Sequence, residues 1–137
     1  MKTNILLLLL VISIFVTGCQ QTTSNDETFI PKKGMIKVTI LYPNDNWKTF
    51  DMDYYTNKHM PMVDSLLSPF IRHVAIDKGV AGGISDTATP YLAIGYLYFD
   101  TIADYESAFG PHGEKIRTDI PNYTNIRPVV QISEIIQ

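Results

Sequence analysis

Nine consecutive residues, Tyr91–Phe99 (YLAIGYLYF), constrain the fold of this 137-residue chain more than any other stretch. They hold no charged side chain and no proline. Read as a strand, Leu92, Ile94, Tyr96 and Tyr98 fall on one face and Ala93, Gly95, Leu97 and Phe99 on the other. A strand apolar on both faces belongs inside a sheet with both faces covered. The rest of the chain must supply its neighbours and its covers.

Residues 35–42 alternate, with Ile36, Val38, Ile40 and Tyr42 on one side, which predicts a strand ended by Pro43-Asn44-Asp45-Asn46. Ile71–Lys78 predicts a second strand and residues 125–135 a last one. Residues 51–67 read as a helix, with Asp51 as N-cap and Ser68-Pro69 as the stop. Thr101-Ile102-Ala103-Asp104 has the form of a capping box opening a second helix. Gly110-Pro111-His112-Gly113 is expected to interrupt that helix after Phe109, with helix resuming to Asp119. Residues 79–90, with three glycines, form a loop.

The order β-α-β-β-α-β predicts an α+β, ferredoxin-like (split βαβ) domain over residues 35–137: a four-stranded antiparallel sheet with two helices on one face. Two helices leave the second face bare. A second copy of the chain is the simplest cover, so a homodimer with sheets face to face is expected, against the plainer case of a monomer with surface tyrosines.

The chain begins with a different kind of segment. Lys2 precedes an apolar run from Ile5 to Val16, broken only by Ser13. That run is too short to span a bilayer and has the length of a signal-peptide core. It ends in Val16-Thr17-Gly18-Cys19, which resembles a lipobox, the cleavage and acylation signal of bacterial lipoproteins. Cys19 is the lone cysteine, so no internal disulfide forms and acylation is its expected chemistry. Residues 1–18 are then a signal peptide and residues 19–34, polar and aperiodic, a flexible tether. The expected place is the bacterial cell envelope, bound to membrane through the lipid anchor. Gln20 rather than Asp after the cysteine favours the outer membrane over the inner. Net charge is −3 with no basic patch, which argues against nucleic acid as a partner.

The predicted first helix holds an awkward stretch, YYTNKHMPM at residues 54–62. Pro61 has no N–H for the carbonyl of Asn57, and its ring presses on that carbonyl. The helix should kink or open between Asn57 and Pro61. Asp51, Tyr55 and His59 are spaced four apart, which lines up a carboxylate, a phenol and an imidazole, with Tyr54 adjacent.

These residues carry a resemblance. FDMDYYTNKHMP, at residues 50–61, resembles the FDxxYYxxxHxP signature of EthD-domain proteins, and the likeness extends through Asp77-Lys78-Gly79, Phe109-Gly110-Pro111-His112 and Ile120-Pro121-Asn122-Tyr123-Thr124. It covers essentially all of residues 35–135. The resemblance implies a dimeric α/β barrel with a small pocket between sheet and helices in each subunit. It does not imply one reaction. The wider superfamily includes lactone isomerases, cofactor-free monooxygenases, polyketide cyclases and haem enzymes, and a fold alone does not assign a function. The lipoprotein leader departs from relatives that look cytoplasmic.

The candidate catalytic residues are His59, as proton carrier, and Tyr55 and Tyr54, as phenols that orient a substrate oxygen. The opposing reading makes His59 a core histidine with both ring nitrogens satisfied. Trp47, as a lid, and His112 and His73 are the candidate ligand-binding residues; the opposing readings pack Trp47 on a neighbour, leave His112 in a solvent-exposed turn and place His73 at the dimer interface. Three histidines without a partner cysteine make no recognisable metal motif, no haem-attachment motif is present, and no cofactor is called for. Two functions fit. One is cofactor-independent acid/base chemistry on a small, largely apolar carbonyl or phenolic compound. The other is non-catalytic binding of such a ligand or of another protein.

Overall fold

The computed structural model describes residues 28–45 and 47–137. The expected signal segment, Cys19 and most of the expected tether lie outside the described residues.

The elements run β1 (Ile36–Pro43), a short α1 (Met52–Tyr54), a π-helical turn (Tyr55–His59), α2 (Met60–Leu67), β2 (Ile71–Lys78), β3 (Tyr91–Phe99), α3 (Ile102–Asp119), a 3-10 turn (Ile120–Asn122) and β4 (Val129–Glu134). The sheet order is β2-β3-β1-β4 and every neighbouring pair is antiparallel. This is the α+β, ferredoxin-like arrangement the element order predicts. β3 lies between β2 and β1, as its two apolar faces require. Ala93, Leu97 and Phe99 join Val38 and Tyr42 of β1, Met60, Val63 and Leu67 of α2, and Ala108 and Ile116 of α3 in one core. On the opposite face of β3, Leu92, Ile94, Tyr96 and Tyr98 stay half-buried. There Phe29 stacks on His73 at 4.4 Å and leans on Tyr98 at 5.0 Å between ring centroids. Among the described residues no helix is long and apolar enough to cross a membrane.

Two expectations are corrected. The second helix is not interrupted at residues 110–113: α3 runs unbroken through Pro111. Ser107, Gly110 and Pro111 all lie on its exposed side, so water can take the Ser107 carbonyl that Pro111 leaves without a donor. The last strand starts at Val129 rather than at residue 125. Tyr123, Thr124 and Ile126 are buried instead against the start of the first helix. The Asp51 N–H donates to the Tyr123 carbonyl at 2.7 Å, and the Thr124 hydroxyl donates to the Thr49 carbonyl at 2.7 Å. Pro128, which has no N–H for a ladder, separates this segment from β4.

Candidate functional site

The first helix positions the site, and its sequence explains how. Asp51 caps it, its carboxylate accepting from the Tyr54 N–H at 2.9 Å. The next turn is wide: the Met60 N–H reaches the carbonyl of Tyr55, five residues back. One extra residue is thereby taken up just before Pro61, which then falls in the first turn of α2 where its missing N–H costs least. The chain opens as Pro61 demands, by a π turn rather than a bend. The consequence is that Tyr55, His59 and Met60 all face the sheet and are buried.

The π turn also undoes the expected line of Asp51, Tyr55 and His59. Asp51 stays at the cap. The carboxylate that meets His59 is Asp119, the last residue of α3. Its Oδ2 lies 2.8 Å from His59 Nδ1. Its Oδ1 accepts from the Tyr54 hydroxyl at 3.1 Å and from Asn122 Nδ2 at 2.8 Å. The His59 ring packs between Tyr55, stacked at 5.7 Å, and Tyr123, tilted at 4.6 Å. The Tyr123 hydroxyl is in turn 2.6 Å from that of Tyr42. Tyr55 is sunk deeper, its hydroxyl over Gly95 of β3 where any Cβ would collide with it. A glycine inside a strand often marks such a close approach. The Tyr55 hydroxyl makes no hydrogen bond within the described residues.

Electrostatics follow from this packing. Burial disfavours the charged imidazole and lowers the pKa of His59, with Asp119 opposing. Partial burial pushes Asp119 up, but the hydrogen bonds from His59, Asn122 and Tyr54 outweigh it and hold the carboxyl below its usual range. At neutral pH the pair is therefore a neutral ring and an ionised carboxylate. A carboxylate only accepts, so the ring proton sits on Nδ1 and the lone pair on Nε2. Nε2 has no protein partner among the described residues. Burial likewise raises the phenols of Tyr42, Tyr55 and Tyr123, which stay protonated and neutral.

His59 and Tyr55 line a cavity of about 430 Å³ between the sheet and the helices. Its walls are mostly apolar, with Ile40, Val63, Leu97 and Phe109 among them; its exposed lining residues are Arg117, Arg127 and Val130, which mark the mouth. That size suits a small ligand. A wider, shallower cleft lies against the other side of Tyr123 and has no histidine in its lining. Among the described residues no group of three or more His, Cys, Asp or Glu side chains gathers as a metal site would need.

Of the expected site residues, the fold brings His59, Tyr55 and Tyr54 together. Tyr54 reaches Asp119 without lining the cavity. Trp47 is 97% exposed ahead of the first helix. His112 lies half-buried on α3, and His73 is exposed on the far face of the sheet. None of these last three lines the cavity. Sequence reasoning missed Asp119, Tyr42, Tyr123, Arg117 and Arg127. Asp119 carried a signal: an acid in the last turn of a helix opposes the helix dipole and calls for another reason to be there.

The sheet order and the cavity beneath the first helix define a ferredoxin-like α+β protein with a small, mostly apolar cavity. The EthD domain matches residues 47–126. The chain is 38% identical to an EthD-like protein of known structure from Ralstonia eutropha JMP134, over 77% of this chain and 96% of that one, with a TM-score of 0.73. A structure of an ethyl tert-butyl ether D (EthD) family protein from Bacillus halodurans C-125, 18% identical, shares the fold with a TM-score of 0.59, over 74% of this chain and 99% of that one. No curated protein matches the chain. This chain belongs to the EthD family.

Proposed function

We propose that the chain binds a small, largely apolar carbonyl or phenolic compound in the His59 cavity and moves a proton on it by cofactor-independent acid/base chemistry. One observation carries this reading: His59 Nδ1 is held by Asp119 at 2.8 Å while Nε2, unpartnered, belongs to a residue lining an apolar cavity. Asp119 fixes the tautomer and ring orientation, and stabilises the imidazolium once Nε2 has taken a proton. The lowered pKa keeps the base form abundant at neutral pH. Of the two candidate phenols, Tyr54 spends its hydroxyl on Asp119, so Tyr55 is the one left to polarise a substrate oxygen.

The non-catalytic binding reading also has an observation in its favour. His59 is only 4% exposed, as a structural histidine would be. It expects both ring nitrogens to be bonded, and among the described residues Nε2 has no partner. The test is a titration of the His59 ring by NMR in the full chain, with and without a panel of lactones and phenols, alongside turnover by His59→Ala. The catalytic reading expects an active compound to shift Nε2 and the variant to keep its fold while losing turnover. Compounds that bind without touching His59 and are not turned over would leave a binding protein, and turnover that survives in His59→Ala would take the proton-transfer role away from His59.

The same proposal extends to where the domain works. Acylation at Cys19 would tether it to the cell envelope, the outer membrane being favoured, and labelled palmitate should enter the wild type and not Cys19→Ala. Two copies would meet through the half-buried face of Leu92, Ile94, Tyr96 and Tyr98, and light scattering should give twice the chain mass.

A further inference from the structure

The mouth of the cavity has a charge pattern that the apolar walls do not explain. Its lining includes two arginines, Arg117 and Arg127, and no carboxylate. Among the described residues the arginine or lysine side chain that meets a carboxylate is Arg72, on Asp100, so neither mouth arginine is paired. The chain as a whole is acidic, at −3, so two cations here are not the overflow of a basic surface.

Arg117 is also held in place. Tyr105, Phe109, Gly113 and Arg117 are spaced four apart, and so lie along one side of α3. The Tyr105 and Phe109 rings stack at 5.5 Å, and the Arg117 guanidinium lies 5.9 Å from the Phe109 centroid. Gly113 makes that possible. A Cβ there would come 2.5 Å from the Phe109 ring and 3.0 Å from Arg117 Nη1. The helix thus gives up a side chain at a buried position, and the ring and the guanidinium fold back into the space. A planar guanidinium already ordered on an aromatic face loses less entropy when it takes a forked acceptor. The positive charge also reaches the neighbouring phenol: burial raises the pKa of Tyr105, and Arg117 works against that rise. Tyr105 too lines the cavity, and its hydroxyl has no protein partner among the described residues.

We infer that the ligand of this cavity is a small apolar carboxylic acid, its carboxylate held at the mouth by Arg117 and Arg127 and its carbon body directed inward towards His59. The inference rests on the proposed use of the His59 cavity and narrows the substrate class to acids that carry the reacting carbonyl or phenol away from the carboxylate. The apolar walls exclude a second charge deeper in, because an unpaired buried charge is costly.

The test compares acids with their uncharged twins. The full chain is titrated with benzoate, 4-phenylbutyrate and 4-acetylbenzoate, and with the three matching primary amides, while the Arg117 side-chain N–H and the His59 ring are followed by NMR. At least one acid should bind tenfold or more tightly than its amide and shift Arg117. The preference should shrink as salt rises from 0.05 to 0.5 M. Arg117→Gln with Arg127→Gln should remove it, and Gly113→Ala should weaken it with both charges kept. Equal binding of acids and amides, both shifting His59, would overturn the inference and leave the proposed function standing. Acid preference with Arg117 shifted and His59 silent would keep the carboxylate site at the mouth and overturn the inward placement together with the proton-transfer role. If no compound binds, both fall.

Discussion

The two helices of this domain were built from the same unusual ingredients and came out differently. Each places a proline beside a histidine: His59-Met60-Pro61 in the first, Pro111-His112 in the second. In the first the backbone widens into a π turn and drives the histidine into the core. In the second the helix runs on and the histidine stays half-buried, away from the cavity. The difference lies in what stands opposite the proline. Around Pro61 the chain must bury Tyr55, His59 and Met60 together, and a regular helix would turn one of them away. Around Pro111 the residue whose carbonyl loses its donor, Ser107, faces solvent, and the defect can be left to water. A proline near a histidine is therefore no sign of a site by itself. The core contacts of the adjacent turn decide.

The prolines offer the sharpest way to break that comparison. Pro111 occupies a helix interior, where alanine is favoured by up to about 3 kcal/mol. Pro111→Ala should raise stability by an amount approaching that. Pro61 sits in the first turn after the π turn, so Pro61→Ala should change stability by less than about 0.5 kcal/mol. Urea unfolding of both variants settles it. A destabilising Pro111→Ala, or a large effect at Pro61, would mean that the two sites are not relaxed in the way described.

A smaller effect tests what the π turn achieves, the meeting of His59 with Asp119. Asp119→Ala leaves a buried imidazole N–H without an acceptor, and should cost about 1–3 kcal/mol at neutral pH. The His59 pKa, already lowered by burial, should fall further once the hydrogen bond and charge of Asp119 are gone. The pH dependence has a definite sign. His59 and Asp119 both titrate lower in the fold than their ordinary values of 6.5 and 3.8, so the unfolded chain binds more protons. Their contribution is complete above the ordinary value of His59 and is lost as pH falls, first through the folded pKa of His59 and then through that of Asp119. The stability gap between wild type and Asp119→Ala should therefore widen as His59 takes its proton, because only the wild type has a carboxylate to hold the imidazolium, and then narrow as Asp119 is itself protonated. A gap that stays constant from pH 7 to pH 3 would show that the pair does not titrate as a unit.

The same contrast explains what the sequence disclosed. β3 matched its expected bounds to the residue, because nine apolar residues between a loop and a capping box leave a strand little room to slide. The kink before Pro61 was also legible, since it follows from a missing N–H. Its form was not, because the choice of a π turn is made by the sheet that packs on it. Asp119 was missed for a related reason. It meets His59 across 60 residues of sequence, and no local spacing encodes that pair. His112 is the reactive side chain of α3, yet the α3 residues that line the cavity are Tyr105, Phe109, Ile116 and Arg117. Tyr105, Phe109 and Ile116, at intervals of four and seven, keep a helical period, but only the placement of the sheet shows which side of α3 faces inward.

A smaller effect than that of Asp119 bears on Tyr55, the other product of the π turn. Its hydroxyl is buried over Gly95 without a partner, a position that normally costs stability. Tyr55→Phe removes the orphaned group and keeps the ring, so stability should hold or rise slightly, within about 1 kcal/mol. Ligand affinity then separates two roles. If the phenol donates to the substrate oxygen, the variant should bind a carbonyl ligand several-fold more weakly while unfolding at the same or higher urea concentration. That opposition of stability and binding is the mark of a group kept for function at a structural cost. If both are unchanged, Tyr55 serves as packing for His59, and the donor to the substrate must be sought elsewhere in the lining, where the Tyr105 hydroxyl also has no partner among the described residues. A loss of stability would show instead that the hydroxyl is bonded in solution, most simply to Tyr42, whose own phenol lies close enough to perturb its pKa.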